Sequence, residues 1–146
     1  MKPSELLAKA QKQRIATDAG AAMHSRLQRV MIDEKIGQGD DDLIAKIKKN
    51  TDLIPFFDAT SRVEIPIAGY INEKFISRRI DSMIIDDAQK IITFLDYKTD
   101  VDKTKLRDKY LSQMNEYFLL LTAAFPNYKI NGFILWTNDF ELEKII

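Results

Sequence analysis

The sequence predicts an α/β domain in which helices pack on a small mixed β-sheet. Two features carry the prediction. Helical patterning fills most of the first 50 residues, and β-patterned segments then run from residue 62 to 97, followed by a long amphipathic helix and another apolar strand. The length of 146 residues at 45% hydrophobic content supports one ordinary core and too little for two. One domain over residues 1–146 is therefore expected, with a helical part at about 1–50 and the sheet and long helix at about 61–146.

Taken in order, Ser4 and Glu5 followed by breaker-free sequence through Leu27 to Glu34 predict helix over roughly 4–35, in one piece or two, with Gly20 as its weak point. The run IGQGDDD stops it. Asp40 to Asp42 then start a short helix through Ala45 to Lys49, with acidic residues at its N-terminus. Leu53 to Thr60 reads as irregular. Strands are predicted at Val63–Ile67, Lys74–Ile85 and Ile91–Tyr97; Pro66 cannot donate to a ladder, so the first lies at an edge or ends early. Asp102 or Thr104 caps a helix running to Phe125, where Pro126 stops it. Asn131–Trp136 supplies another strand, and FELEKII a last one.

Composition narrows the function classes. Lys plus Arg equals Asp plus Glu at 22 each, so no global positive field exists and any nucleic-acid contact is a local patch. Without cysteine, disulfides, thiolate zinc sites and cysteine-ligated iron–sulfur clusters are excluded. No apolar window reaches membrane-spanning length and MKPSELLAKAQKQR lacks an apolar signal core, so no membrane association and a cytoplasmic location are expected.

The stretch RRIDSMIIDDAQKIITFLDYKTD places Asp81 and Asp96 inside two otherwise apolar strands. With Asp87 to Lys90 as a four-residue turn, Asp86 faces Ile91, Ile84 faces Thr93, and Asp81 comes opposite Asp96. The two carboxylates would then share a face with Cβ atoms roughly 4.5–5.5 Å apart. Lys98, two residues after Asp96, falls on the same side. Like charges so placed repel, and a partly buried pair shares a proton or holds a cation. Magnesium suits carboxylate oxygens and retains waters that a substrate phosphate can replace. Strand aspartates near a turn are also commonly just solvated, and the hairpin by itself leaves both readings open.

Further candidates flank it. Leu111, Met114, Phe118, Leu121 and Phe125 form a core stripe on the long helix, beside a second line of Tyr110, Gln113 and Tyr117. A tyrosine line is usually packing, whereas Gln113 between two rings needs hydrogen-bond partners. The single histidine, His24, follows Gly20 by four residues, and Gly20, Ala21 and Ala22 permit a close helix approach to the sheet edge.

In order and spacing, Gly20-x-x-x-His24, Glu64 in SRVEIPI, Arg79-Ile80-Asp81, Asp96-Tyr97-Lys98 and Gln113-x-x-x-Tyr117 resemble the RecB/AddA-type branch of the PD-(D/E)XK nuclease superfamily. The resemblance spans residues 20 to 117 and implies a restriction-endonuclease-like core. It implies a metal-dependent deoxyribonuclease, exonuclease ahead of endonuclease, using magnesium, with manganese as the alternative. His24, Asp81 and Asp96 would be metal ligands with the backbone carbonyl of Tyr97 as a fourth. Asp81, Asp96 and Lys98 would form the catalytic set, Lys98 orienting the attacking water. Gln113 and Tyr117 would support the site and touch the DNA backbone; Tyr110 is grouped with them, and Glu64 is read as a supporting acid.

Arg78-Arg79 departs from the small residue that many relatives carry before the first aspartate; the pair is read as phosphate clamps, with solvated strand charges as the alternative. The lack of cysteine sets aside the cluster-bearing relatives. Lys103, Lys105, Arg107 and Lys109 offer a positive run for substrate entry, with a plain solvated face as the alternative. The family implies single-stranded DNA ends as substrate, a role in double-strand-break repair and recombination, and a helicase subunit or domain as partner. No G-x-x-x-x-G-K-[ST] loop is present, so the chain is an excised domain, a split product or a stand-alone nuclease. The alternative is a non-catalytic DNA-binding or partner-interaction module of a repair complex.

Overall fold

The computed structural model describes residues 2–5, 20–30 and 41–146. Of the helix expected over roughly 4–35, residues 3–5 and 20–29 are helical, and we label residues 20–29 α1; the remainder of that expectation, with most of the IGQGDDD stop, lies outside the described residues. Helix α2, Asp41–Lys48, has Asp41 and Asp42 in its first turn and Lys46 and Lys48 in its last, each charge opposing the adjacent end of the helix dipole. Its Leu43 and Ile47, one turn apart, are buried. A 3₁₀ turn, Ile54–Phe57, occupies the stretch expected to be irregular and buries Phe56 and Phe57.

The sheet has five strands in the order β1-β2-β3-β4-β5: β1 Ser61–Ile71, β2 Lys74–Asp86, β3 Ile91–Lys98, β4 Lys129–Trp136 and β5 Glu141–Lys144. Helix α3, Arg107–Ala124, connects β3 to β4, which pair in parallel, while the other neighbours are antiparallel. This is the open, mixed α/β sheet of a restriction-endonuclease-like core, as expected. Its two faces bury separate clusters. On one, Leu27 of α1, Leu43 and Ile47 of α2, and Phe56 and Phe57 pack on Leu95, Tyr97 and Leu135. On the other, Met114, Tyr117 and Leu121 of α3 pack on Ile80, Phe94, Ile130 and Ile134. Gly132 on β4 makes room for the Phe94 ring: a Cβ there would sit 2.5 Å from Phe94 Cζ.

The β2–β3 register is the expected one, with Asp86 opposite Ile91 and Ile84 opposite Thr93. β1 is an edge strand, as Pro66 requires, but does not end early: it pairs with β2 from Ser61 through Ile71. The hairpin turns on Asn72 and Glu73, both with positive φ (49° and 65°), the geometry of a two-residue type I′ turn.

Some details differ from the sequence reading. Helix α3 starts at Arg107, because the Asp102 carboxylate accepts from the Thr104 backbone and hydroxyl and closes a turn of its own upstream. The buried side of α3 is Met114, Tyr117, Leu120 and Leu121. Phe125 is exposed, having passed beyond the helix end, and Tyr117 takes a core position against Phe94 (centroids 5.7 Å, perpendicular).

Candidate functional site

Where β2 and β3 part, the ladder stops at Ser82–Leu95, one pair short of Asp81 and Asp96. The two aspartates are therefore not rung partners on one pleat, which corrects the flush pairing expected from sequence. Asp81 instead uses Oδ2 to accept the Tyr97 backbone N–H at 2.8 Å, while its Oδ1 lies 2.8 Å from His24 Nε2. Asp96 belongs to the α3 side with Lys98. Both carboxylates are buried, at 6% and 3% exposure.

His24 comes from α1, which the small residue at Gly20 lets approach β3. A Cβ at Gly20 would sit 3.1 Å from Thr99 Oγ1. The imidazole stands edge-on to the Tyr97 ring, centroids 5.2 Å apart. It also meets Glu64 Oε1 at 3.2 Å. Glu64 reaches it through a local distortion, since its φ of 52° is a left-handed conformation that a non-glycine residue adopts only when its surroundings hold it there. At this point the β1–β2 ladder skips a pair, between Val63–Ser82 and Ile65–Ile80. Gln28, one turn after His24, donates to the same Glu64 oxygen, and Arg79 Nη1 lies 3.4 Å from the other.

His24, Glu64 and Asp81 thus present one ligand atom each within 4.8 Å of one another, a donor set able to chelate a divalent cation. Hydrogen bonding to Asp81, aided by Glu64 and opposed by burial, raises the His24 pKa to about 9 in the cation's absence. The imidazole then serves as counter-ion for two acids. Asp96 lies outside that mutual reach. Burial drives its pKa up to about 7, with the Asp81 carboxylate adding to the rise and Lys98 opposing it. Lys98 Nζ lies 2.7 Å from Asp96 Oδ2 and is the cation that pairs with this buried oxygen. A deeply buried carboxylate beside a second acid, neutralised from one side by a lysine, is an arrangement able to accept a cation.

The Lys98 ammonium is held from three sides. It donates to Gln113 Oε1 at 2.7 Å and lies 4.4 Å from the Tyr110 ring centroid, besides its contact with Asp96. Gln113 in turn donates to the Tyr117 hydroxyl at 2.9 Å, which satisfies the amide that the sequence left in need of partners. Tyr110 is fixed through its hydroxyl, which donates to the Asp100 carboxylate (2.7 and 2.9 Å to the two oxygens). Burial raises the pKa of Tyr97, Tyr110 and Tyr117 alike, and all three stay neutral near pH 7. A cleft of about 440 Å³ opens beside His24 and Lys98, with Gly20, Thr99, Tyr110 and Thr137 among its walls.

The remaining candidates are placed less centrally. Arg78 points to the α3 side, where its Nε donates to Glu116 at 2.8 Å, whereas Arg79 is two-thirds exposed (67%) on the side of the histidine. Two of the four cations of the positive run are spent on β5 and its turn: Lys103 pairs with Asp139 and Glu141, and Arg107 with Glu143. These pairings take both cations out of the phosphate track that the sequence suggested, because β5 and the turn before it bring three acids to them. Asp100 and Gln28 were not singled out from sequence. Gln28 carried a usable signal, its i+4 spacing from His24.

No family profile matches the chain, and no curated protein matches it significantly. Among solved structures it resembles a crystal structure from Eubacterium rectale described as a "Putative exonuclease", with TM-score 0.56 and 13% identity. The superposition covers 100% of this chain and 60% of that one. The likeness is one of fold. Among the described residues no helix is long and apolar enough to cross a membrane.

Proposed function

We propose that this chain is a metal-dependent deoxyribonuclease that hydrolyses phosphodiester bonds, related to the nuclease part of RecB/AddA-type helicase-nucleases in the PD-(D/E)XK superfamily. One observation carries the reading: two buried acids, Asp81 and Asp96, lie close enough to raise the Asp96 pKa, with His24 on Asp81 and Lys98 on Asp96. Two acids buried side by side with one lysine between them and solvent are costly for stability alone, and a bound cation offsets that cost.

His24, Glu64 and Asp81 form the compact donor set for magnesium or manganese, and Asp96, next to Asp81, would complete the hold. When bound, such an ion polarises the phosphoryl oxygen and offsets charge on the departing 3′ oxygen. The chain's own residues do the rest. Lys98, fixed by Gln113 and Tyr110, presents an ammonium beside the acids, where it aligns a water for in-line attack and stabilises the developing negative charge. The Gln113–Tyr117 bond keeps the amide oxygen turned toward Lys98, so these two act as positioning residues. The adjoining cleft admits the strand end, and exonuclease action on single-stranded ends is the mode that fits the family.

A cleavage assay on labelled single-stranded and duplex DNA tests this, run with magnesium, manganese or EDTA. Cutting is expected only with metal, and is expected to disappear in Asp96→Ala and Lys98→Ala. Both variants cutting like the native protein would overturn the assignment.

A further inference from the structure

The β1–β2 hairpin outruns the sheet. β3 pairs only with Ser82–Asp86 of β2, so residues 74–80 have β1 as their sole partner in the ladder. Alternation divides this ribbon into two faces. Ile65, Ile67 and Ile80 pack in the α3 cluster, Gly69 lies against Leu120, and Arg78 reaches Glu116, so these share the α3 side. The opposite face begins at Glu64 and Asp81 and continues through the pairs Pro66–Arg79, Ala68–Ser77 and Tyr70–Phe75.

That second face has an ordered chemistry. Next to the acids comes Arg79, exposed and, among the described residues, in contact with Glu64 at 3.4 Å. Small residues follow at Ala68 and Ser77. At the tip stand two aromatic rings, Tyr70 and Phe75, 74% and 58% exposed, in edge contact with centroids 5.5 Å apart. As cross-strand partners the rings add a modest contact to the hairpin, and most of their surface stays open to a ligand. From Asp81 to Phe75 the ribbon runs about 20 Å at 3.3 Å per residue, the length of roughly six nucleotides at duplex spacing and fewer in a stretched strand.

We infer that this face is a binding track for single-stranded nucleic acid, in which Arg79 contacts a phosphate next to the site and the Tyr70–Phe75 pair stacks an unpaired base. The inference rests on the nuclease reading above and adds where the strand lies. Aromatic platforms combined with cations bind single strands with little sequence preference, because every base has a π-face. Paired bases present no free face to such a platform, so the rings select single strands over duplex.

The test measures binding by fluorescence anisotropy of a labelled oligothymidylate of roughly 12 nucleotides, within the range one such platform covers. An oligouridylate arm separates DNA from RNA, a duplex arm is the control for stacking, and EDTA prevents cleavage. Tyr70→Ala/Phe75→Ala is expected to weaken single-strand binding roughly tenfold, the usual worth of one stacked base, and to leave the salt dependence and duplex binding unchanged. Tyr70→Leu/Phe75→Leu, which keeps β-compatible apolar bulk, is expected to lose as much, and guards against a folding defect in the alanine variant. Arg79→Ala is expected to lower the slope of log affinity against log salt by about 0.7.

Native-like single-strand affinity in both ring variants, alongside intact metal-dependent cutting, would overturn the track and leave the nuclease reading standing. Equal losses on duplex would overturn base stacking. A native protein that neither binds nor cuts would overturn both proposals.

Discussion

Cation affinity is expected to rise steeply with pH, because the groups proposed to hold the cation carry protons in its absence. His24 has a pKa of about 9 and Asp96 of about 7, and both must be deprotonated to act as ligands. Competition by two protons reduces affinity by (1 + 10^(9−pH))(1 + 10^(7−pH)), which changes roughly 900-fold between pH 6 and 8. His24 is about one-third exposed, so solvent screening reduces its shift. Returning it fully to 6.5 still leaves roughly a 40-fold change, so the expected window is about 40- to 900-fold. Isothermal titration with magnesium at pH 6, 7 and 8, in buffers of differing ionisation enthalpy, reads both the affinity and the protons released. Asp96→Asn is expected to remove about tenfold of this pH dependence, and His24→Gln most of the remainder. A pH-independent affinity in the native protein, or an unchanged slope in Asp96→Asn, would refute the assignment of these two residues as ligands.

The same groups set the pH dependence of stability without metal. The raised His24 pKa contributes stability that is full below about 6.5 and lost as pH rises through about 9, and the raised Asp96 pKa adds a penalty absent below about 3.8 and complete above about 7. Thermal melts in EDTA should therefore show a lower Tm at pH 9 than at pH 5.5, and at pH 8 magnesium at 100 times its Kd should raise Tm by roughly 5–11 °C. Gly132→Ala should lower stability by about 1–3 kcal/mol in urea titrations, because the added methyl drives into the Phe94 ring. Glu73→Gly should raise stability by roughly 1 kcal/mol in the same assay, since glycine takes the positive φ of the hairpin turn without steric cost.

Much of the fold was legible because its determinants are local. Alternation within Lys74–Ile85 and Ile91–Tyr97, with the Asp87–Lys90 turn between them, fixes a register in which only one offset keeps the apolar residues facing the core. Pro66 marked the edge strand by lacking a donor. What could not be read depends on distant partners. Nothing around Glu64 announces a left-handed backbone, which arises where β1 must bend to let a carboxylate meet a histidine 40 residues earlier. Lys103 and Arg107 look like free cations in a basic run, and their neutralisation depends on β5 arriving beside them. Helical periodicity likewise could not tell which line of α3 faces the sheet, because Tyr110, Tyr117 and the aliphatic stripe all have the spacing of a buried face, and Tyr117 has a partner only once Phe94 is in place.

The Asp81 side chain substitutes for a missing rung: its Oδ2 receives the peptide hydrogen of Tyr97 at the point where the strands separate. An alteration there deletes a sheet connection along with a carboxylate, so a dead Asp81 variant conflates architecture with chemistry. The Lys98 ammonium meets side chains alone, so its replacement leaves every backbone connection of the sheet in place.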